Sequence, residues 1–168
     1  PLQVKFNHCP INQILHSCLE LLDMKLVEKR LSRITSYGSG IPYLMGDSEK
    51  LGQAFINLLL NAIEASPEEG SICVTTLYHS NGGNPQVEVL IEDEGQGISQ
   101  ESLSEIFKPF FTTKSKGTGL GLSNARRILE VHGGRIEVEN RAPRLPCGAC
   151  FHVFLPARGA HVQDSHRG

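Results

Sequence analysis

The sequence predicts an α/β fold, a two-layer sandwich in which helices cover one face of a largely antiparallel sheet. Apolar residues recur every three or four positions in two long segments, which is typical of amphipathic helices. Strand-like segments follow one another without an intervening helix over 71–92 and again over 135–155, which favours antiparallel pairing. With 168 residues, the chain is also long enough to bury one sizeable core.

Composition and charge narrow the function classes. Apolar residues make up 39% and charged residues 20% of the chain, a mixture typical of globular domains rather than disordered or membrane-embedded chains. A net charge of −2 gives no electrostatic reason to expect nucleic-acid binding. No basic-then-apolar leader opens the chain, and the first residue is Pro1, so we expect a piece of a longer protein.

The five cysteines form no disulfide framework. Their number is odd and their spacing scattered, which favours a reducing, cytoplasmic compartment. Cys147 and Cys150 form a C-x-x-C motif, but no second Cys or His pair lies nearby at ligand spacing, so packing is a better interpretation than a zinc site. His152 alternates with apolar residues of an apparent strand, and we interpret it as strand packing.

The first half of the chain combines strands with two helices. We predict a short strand at 2–6, one amphipathic helix at 11–30, and a strand leading into a loop at 31–45. Asp47 and Ser48 are N-cap candidates for the second helix, which continues along an apolar stripe until a Ser-Pro pair at 66–67.

The second half is richer in strands. We predict strands at 71–78, 86–92, 135–140 and 150–155, a turn-rich loop at 81–85, helices at 99–106 and 123–131, and irregular structure at 108–116. From Ala157 the sequence is polar and unpatterned. We therefore divide the chain into one domain, 1–156, and a polar tail or linker, 157–168.

The first chemical motif is a pair of asparagines in the second helix. Asn57, Asn61 and Glu64 share a helix face that lies away from the apolar stripe. Asn is a mediocre helix former, so two of them within one helix need a reason. A solvated face is one interpretation. The other is that Asn61 supplies a neutral oxygen to a hard cation such as Mg²⁺.

The second motif, D-x-G-x-G-I, begins at Asp93, directly after a predicted strand. A carboxylate at a strand end, followed by Gly95 and Gly97, places a fixed acceptor beside exposed backbone. Such an acceptor can bind the exocyclic amine of adenine. An ordinary turn explains the motif equally well.

The third motif, G-T-G-L-G-L over 117–122, opens the last predicted helix. Alternate glycines let the backbone approach a ligand, and free amides at a helix N-terminus favour phosphate. The motif is not a dinucleotide fingerprint, which needs Gly where Leu122 stands, and it lacks the Gly-Lys-Ser/Thr end of a Walker loop. Lys114 and Lys116 add positive charge upstream, unless they are simply a solvated charge run.

The order and spacing of these motifs resemble a known family. N-x-x-x-N on a helix, D-x-G-x-G-I, F-x-x-F-F over 107–111 and G-T-G-L-G-L are similar to the N, G1, F and G2 boxes of the GHKL ATPase superfamily. The resemblance covers roughly residues 1–156. It is nearest to the catalytic and ATP-binding domain of two-component sensor histidine kinases, of the nitrogen-regulator type.

The resemblance implies a Bergerat fold, a mixed and mostly antiparallel sheet under three helices, with ATP between a helix and a lid at about 99–116. Asn61 would ligate the Mg²⁺ that bridges the phosphates, with Asn57 close by. Asp93 would bind the adenine amine, and Lys114 would approach the terminal phosphate. Other cofactor contacts are implied for Gly95, Gly97, Ile98, Thr118, Gly119, Leu120, Gly121 and Leu122, and lid anchoring beside the cofactor for Phe107, Phe110 and Phe111.

Two positions depart from the family pattern. Many sensor kinases have Lys where Glu64 stands, so Lys114 would carry more of the positive charge at the phosphates. A Thr near the adenine in the family corresponds to Cys150 here. A thiol is a poor hydrogen-bond partner, so a water-mediated adenine contact would be weak there.

Asn57 distinguishes two reactions. Superfamily members that hydrolyse ATP resemble one another in a Glu at this position, which orients or deprotonates water, whereas Asn cannot act as a base near neutral pH. Phosphoryl transfer to a protein side chain needs mainly positioning and charge neutralisation. The resemblance therefore implies a protein histidine kinase that uses Mg-ATP.

The acceptor of the phosphoryl group is expected outside this chain. In the family it is a His followed by an acidic residue, and the residues after the seven histidines here are Cys9, Ser17, Ser80, Gly133, Val153, Val162 and Arg167. The implied partners are a histidine-bearing dimerisation domain of the same parent protein and a response regulator. Dimerisation and membrane attachment of the parent protein stay open.

Two other function classes stay open as well. One is a serine-directed kinase of the anti-sigma type, although such kinases usually have a shorter and less regular G2 box. The other is a nucleotide-dependent interaction module without transfer activity. A transfer assay with radiolabelled ATP and a separate histidine-bearing domain would discriminate among the three.

Overall fold

The computed structural model describes residues 1–141 and 148–157. Along the chain the elements are β1 Asn7–Cys9, α1 Ile11–Leu21, α2 Asp23–Glu28, β2 Ser32–Tyr37, β3 Leu44–Gly46, α3 Ser48–Ala65, β4 Ser71–His79, β5 Gln86–Glu92, α4 Gln100–Leu103, α5 Gly121–Val131, β6 Arg135–Asn140 and β7 Ala149–Pro156. None of the helices within these residues is long and apolar enough to cross a bilayer.

Five of the strands form one mixed sheet in the order β2-β4-β5-β7-β6. β2 and β4 run parallel, and the other neighbouring pairs are antiparallel. The parallel pair is possible because α3 lies between β2 and β4 in the chain and provides the crossover that parallel strands require. The prediction of a mixed, mostly antiparallel sheet is confirmed.

One face of this sheet forms the core. Val87, Val89 and Ile91 of β5 are fully buried and alternate with residues that point to the other face. They pair with the buried residues Leu155, Val153 and Phe151 of β7. The buried residues of α1, α3 and α5 belong to the same apolar cluster, so the predicted helical layer is confirmed for the three long helices, and α2 and α4 are short additions.

The opposite face of the sheet carries a polar cluster. Glu88 is only 8% exposed, and its two carboxylate oxygens bind His152 Nδ1 at 2.7 Å and His79 Nε2 at 2.6 Å. The other ring nitrogen of His152 lies 3.1 Å from Glu139. Burial alone would raise the pKa of Glu88, but the two imidazoles outweigh it and lower the pKa. His152 thus lies in a strand as predicted, although its ring binds carboxylates.

The N-terminus of α3 is joined to distant parts of the chain through the predicted cap residue, Asp47. One carboxylate oxygen accepts from the Lys50 amide at 3.0 Å and the other from the Lys5 amide at 2.8 Å. The Asp47 amide donates to Nε2 of the buried His132 at 2.9 Å. β1 pairs with β3 immediately before Asp47, so the amino end of the chain is anchored at the same point.

Several boundaries differ from the sequence prediction. The helix predicted at 99–106 covers only Gln100–Leu103, and the one predicted at 123–131 begins at Gly121. The first strand covers Asn7–Cys9 rather than 2–6, and these three residues pair with the three-residue β3. The helix predicted at 11–30 is interrupted at Leu22, which leaves helical geometry at φ −97° and ψ 5°. Ala157 belongs to the fold and not to the tail, since it is 5% exposed and its amide donates to Pro85 O. Residues 158–168 and Cys147 lie outside the described part.

Candidate functional site

A cavity of about 820 Å³ lies between α3, the lid and the edge formed by the ends of β5, β6 and β7. This volume is in the range of small-molecule sites. Many of the residues singled out from the sequence line it, among them Asn57, Asn61, Glu64, Asp93, Gly97, Ile98, Phe111, Lys114, Lys116, Thr118, Gly119, Gly121 and Leu122. The fold therefore brings together motifs that are far apart in the chain.

The asparagine pair forms one wall because of how α3 is packed. The apolar stripe predicted from Leu51 to Ile63 is buried, which turns Asn57, Asn61 and Glu64 away from the core. The ammonium of Lys114 in the lid lies 3.5 Å from Asn61 Oδ1 and forms an ion pair with the Glu64 carboxylate. An amide oxygen and a carboxylate thus face a cation at one position.

Asp93 lies at the buried end of the cavity and is 1% exposed. Its Oδ1 accepts from the amides of Gly95 at 2.8 Å and Ala149 at 3.1 Å. Its Oδ2 is buried and has no hydrogen-bond partner among residues 1–141 and 148–157. Burial raises the pKa of Asp93, although the two amides act against this shift. A donor that entered the cavity would find a buried acceptor with a free oxygen.

The two glycines that follow Asp93 have different surroundings. Gly97 lines the cavity, as expected. Gly95 does not, and a Cβ there would lie 2.6 Å from the carbonyl oxygen of Ala65. Its missing side chain therefore allows the loop to lie against the end of α3, rather than giving room to a ligand.

The G-T-G-L-G-L motif leads into α5, whose N-cap is Leu120. No side chain among the described residues caps this helix, and its first intrahelical bond runs from the Asn124 amide to Leu120 O. The amides of Gly121 and Leu122, two residues that line the cavity, therefore precede the intrahelical hydrogen bonds. Gly119 has φ +70°, and a Cβ there would lie 2.4 Å from the carbonyl carbon of Phe110. The glycine is thus required by the lid as well as by any ligand.

The three lid phenylalanines have separate environments. Phe111 lines the cavity. Phe107 does not: it packs edge-on against Phe151, with ring centroids 6.3 Å apart, and borders a second, shallow pocket together with Leu120. Phe110 is 75% exposed. Phe107, for which the resemblance implies a cofactor contact, therefore lies outside the lining of the cavity, and its ring packs against the core.

Sequence reasoning missed two residues that shape the site. Asn140, at the end of β6, accepts from the Ile98 amide at 2.7 Å and donates to Ile98 O at 2.8 Å, which fixes the loop after Asp93. On β7, Ala149 joins Phe151 in lining the cavity, whereas Cys150 between them does not. Burial raises the pKa of the Cys150 thiol to about 12.

Residues 46–159 match the family model described as histidine kinase-, DNA gyrase B-, and HSP90-like ATPase. The sensor histidine kinase ZraS of Klebsiella oxytoca is 33% identical over 164 residues, which is 98% of this chain and 34% of ZraS. This chain thus spans about a third of that relative's length.

Solved structures agree with this result. The catalytic domain of histidine kinase ThkA superposes with a TM-score of 0.79 at 32% identity, over 91% of this chain and 98% of that one. ThkA in complex with its response regulator TrrA superposes with a TM-score of 0.76 at 30% identity, over 92% of this chain and 42% of that one. The chain therefore belongs to the histidine kinase-, DNA gyrase B- and HSP90-like ATPase family, and its architecture is that of the ATP-binding catalytic domain of sensor histidine kinases.

Proposed function

We propose that this domain binds Mg-ATP and transfers its γ-phosphoryl group to a histidine on a separate dimerisation domain, for relay to a response regulator. The observation that carries the proposal is the buried Asp93, which lines the cavity and whose Oδ2 lacks a hydrogen-bond partner within the described residues. Adenine presents an amine donor that complements this oxygen, whereas guanine presents a carbonyl at the same position.

The groups around the cavity mouth fit the phosphates and a metal ion. Asn61 Oδ1 already faces a cation, the Lys114 ammonium, and amide oxygens are suitable Mg²⁺ ligands. When bound, Mg²⁺ would neutralise charge on the phosphates. The uncapped amides at the start of α5 and the side chains of Lys114 and Lys116 would hold the phosphates from the opposite side.

Transfer is favoured over hydrolysis because Asn57 occupies the wall where a water-activating base would be needed. An amide cannot accept a proton from water near neutral pH. The partner domain and regulator are proposed from the relatives: ZraS is a sensor histidine kinase, and the ThkA structure is a complex with a response regulator. The finer assignment to the nitrogen-regulator type remains a prediction.

The test is Asp93→Asn, with nucleotide affinity measured by calorimetry. The new amide would still accept from Gly95 and Ala149 but would direct a donor at the adenine amine. We expect ATP affinity to fall about 10- to 100-fold, the cost of an unpaired buried donor. The preference for ATP over GTP should shrink at the same time.

The control is Asp23→Asn, which makes the same change at an exposed position of α2. It should leave the affinity for ATP unchanged. A folded Asp93→Asn protein that binds ATP as tightly as the unmodified domain would refute the adenine assignment.

A further inference from the structure

The lid contacts α3 through Lys114, which pairs with Glu64, an acidic side chain that lines the cavity. Glu64 and Asn61 lie three residues apart on α3, so both side chains project from the same helix face. The ammonium of Lys114 lies between them, paired with the Glu64 carboxylate and 3.5 Å from Asn61 Oδ1. A carboxylate and a neutral amide oxygen are a donor pair typical of hard divalent cations.

The charges at this position conflict with a simple phosphate site. A terminal phosphate would be repelled by Glu64, and it would have to compete with Glu64 for Lys114. The conflict disappears if a divalent cation takes over the two oxygens, because Lys114 is then released with its three donors free for the phosphate.

We propose that Asn61 and Glu64 form a two-oxygen cation site, which the Lys114 ammonium occupies in the nucleotide-free domain and Mg²⁺ occupies when nucleotide binds. The Lys114 ammonium then leaves Glu64 and binds the terminal phosphate. Glu64 acts as a positioning residue: it holds the lid across the empty cavity and makes nucleotide binding depend on Mg²⁺. The inference rests on the proposed function, which assigns ATP to this cavity.

The first test uses the nucleotide-free domain and hydrogen exchange of the lid, residues 99–116. Glu64→Gln and Lys114→Gln remove the same contact, so both should increase exchange in the lid to a similar extent. Glu68→Gln makes the same charge change at an exposed position that does not line the cavity, and it should have no effect. Equal exchange in all four proteins would overturn the nucleotide-free half of the proposal.

The second test measures ATP affinity in chelator and in saturating Mg²⁺. In chelator, Glu64→Gln should bind ATP about three- to fivefold more tightly than the unmodified domain, because repulsion is removed and Lys114 is free. The gain in affinity that Mg²⁺ produces should fall about tenfold, because a neutral amide, a weaker ligand, replaces the charged carboxylate that faces the metal. Glu64→Asp, which keeps the carboxylate, should restore much of this gain.

A merely structural role of Glu64 would shift the ATP affinity in chelator and the ATP affinity in Mg²⁺ in the same direction. The opposite changes expected for Glu64→Gln would therefore exclude such a role. If Glu64→Gln changes neither affinity, or weakens both equally, the cation exchange is refuted while ATP binding by the unmodified domain upholds the proposed function. If the unmodified domain fails to bind ATP with or without Mg²⁺, both proposals are refuted.

Discussion

Asp47 joins three segments of the chain at one residue. Its carboxylate caps α3 and binds the amide of Lys5, while its own amide donates to the ring of His132. Because this amide donates to Nε2, the proton of the neutral ring lies on Nδ1, which donates to Ile128 O at 2.7 Å. The start of the helix that carries the asparagines therefore depends on contacts made by this single residue.

Asp47→Ala is predicted to lower the free energy of unfolding by about 1–2 kcal/mol, the usual cost of losing an N-cap. Backbone hydrogen bonds, first that from Lys5, lower the pKa of Asp47. A carboxyl group with a lowered folded-state pKa stabilises the fold above its unfolded pKa of about 3.9, and this stabilisation is lost as the pH falls through the folded value. Urea unfolding should thus show a constant difference from pH 5 to 8 that narrows below about pH 4.

Glu68→Ala, at an exposed position, is the matched control and should have little effect. A stability difference for Asp47→Ala that persists unchanged at pH 2 would contradict the role assigned to the carboxylate.

At the scale of the element, α3 is held at both ends. Its C-terminal carbonyls are bound by the ammonium of Lys29, which donates to Ile63 O at 2.8 Å, Glu64 O at 2.9 Å and Ser66 O at 2.6 Å. A cation at this end also complements the helix dipole. The wall of the cavity is thus a helix with both ends fixed by side chains.

Lys29→Met is predicted to destabilise the domain by about 1–3 kcal/mol, since it removes hydrogen bonds from a charged donor and leaves carbonyls unpaired. Hydrogen exchange should increase at the last turn of α3, next to Glu64, before it increases elsewhere. Lys25→Met, on the exposed side of α2, serves as the control. Equal stability of the two variants would mean that solvent replaces the Lys29 contacts at no cost.

Elements whose pattern is local could be predicted from the sequence. β5 and β6 have the predicted bounds, and α3 has the predicted cap and buried stripe, because alternation and helical spacing are set by neighbouring residues. The break at Leu22 could not be predicted, since neither Gly nor Pro marks it. Nor could the short β1, whose partner strand lies 37 residues away in the pair His8 and Met45.

In the site, too, features set by neighbouring residues could be predicted and contacts between distant residues could not. Its main groups were found because each motif is contiguous, whereas the clamp of Asn140 on Ile98 joins residues 42 positions apart and has no sequence signature. The place of Cys150 has another physical reason: side chains alternate along a strand, so its neighbours Ala149 and Phe151 line the cavity and Cys150 does not.

For the whole molecule, the proposed function predicts that ATP is bound by this domain and that the phosphoryl group is accepted by a separate domain. Alone, the domain should bind Mg-ATP without labelling itself or releasing phosphate appreciably. Mixed with the histidine-bearing dimerisation domain of its parent protein, it should transfer radiolabel from ATP to a histidine there. The phosphate should be labile in acid and stable in base, because the bond is to nitrogen.

Acid-stable label on a separate protein would instead favour a serine-directed kinase. Steady release of phosphate by the isolated domain, abolished by Asn61→Ala, would contradict the kinase assignment and indicate hydrolysis. Asp23→Asn is the control for both measurements, since its position is exposed and away from the cavity.

The junction of β1, β3 and Asp47 has a mechanical consequence. Tension that enters through the amino end is borne first by the Lys5–Asp47 hydrogen bond and the three residue pairs between β1 and β3, all of which lead into the first turn of α3. The five-stranded sheet is loaded only afterwards, because β2 begins beyond α2. The amino end is therefore connected directly to the first turn of α3, the helix whose Asn57 and Asn61 line the cavity.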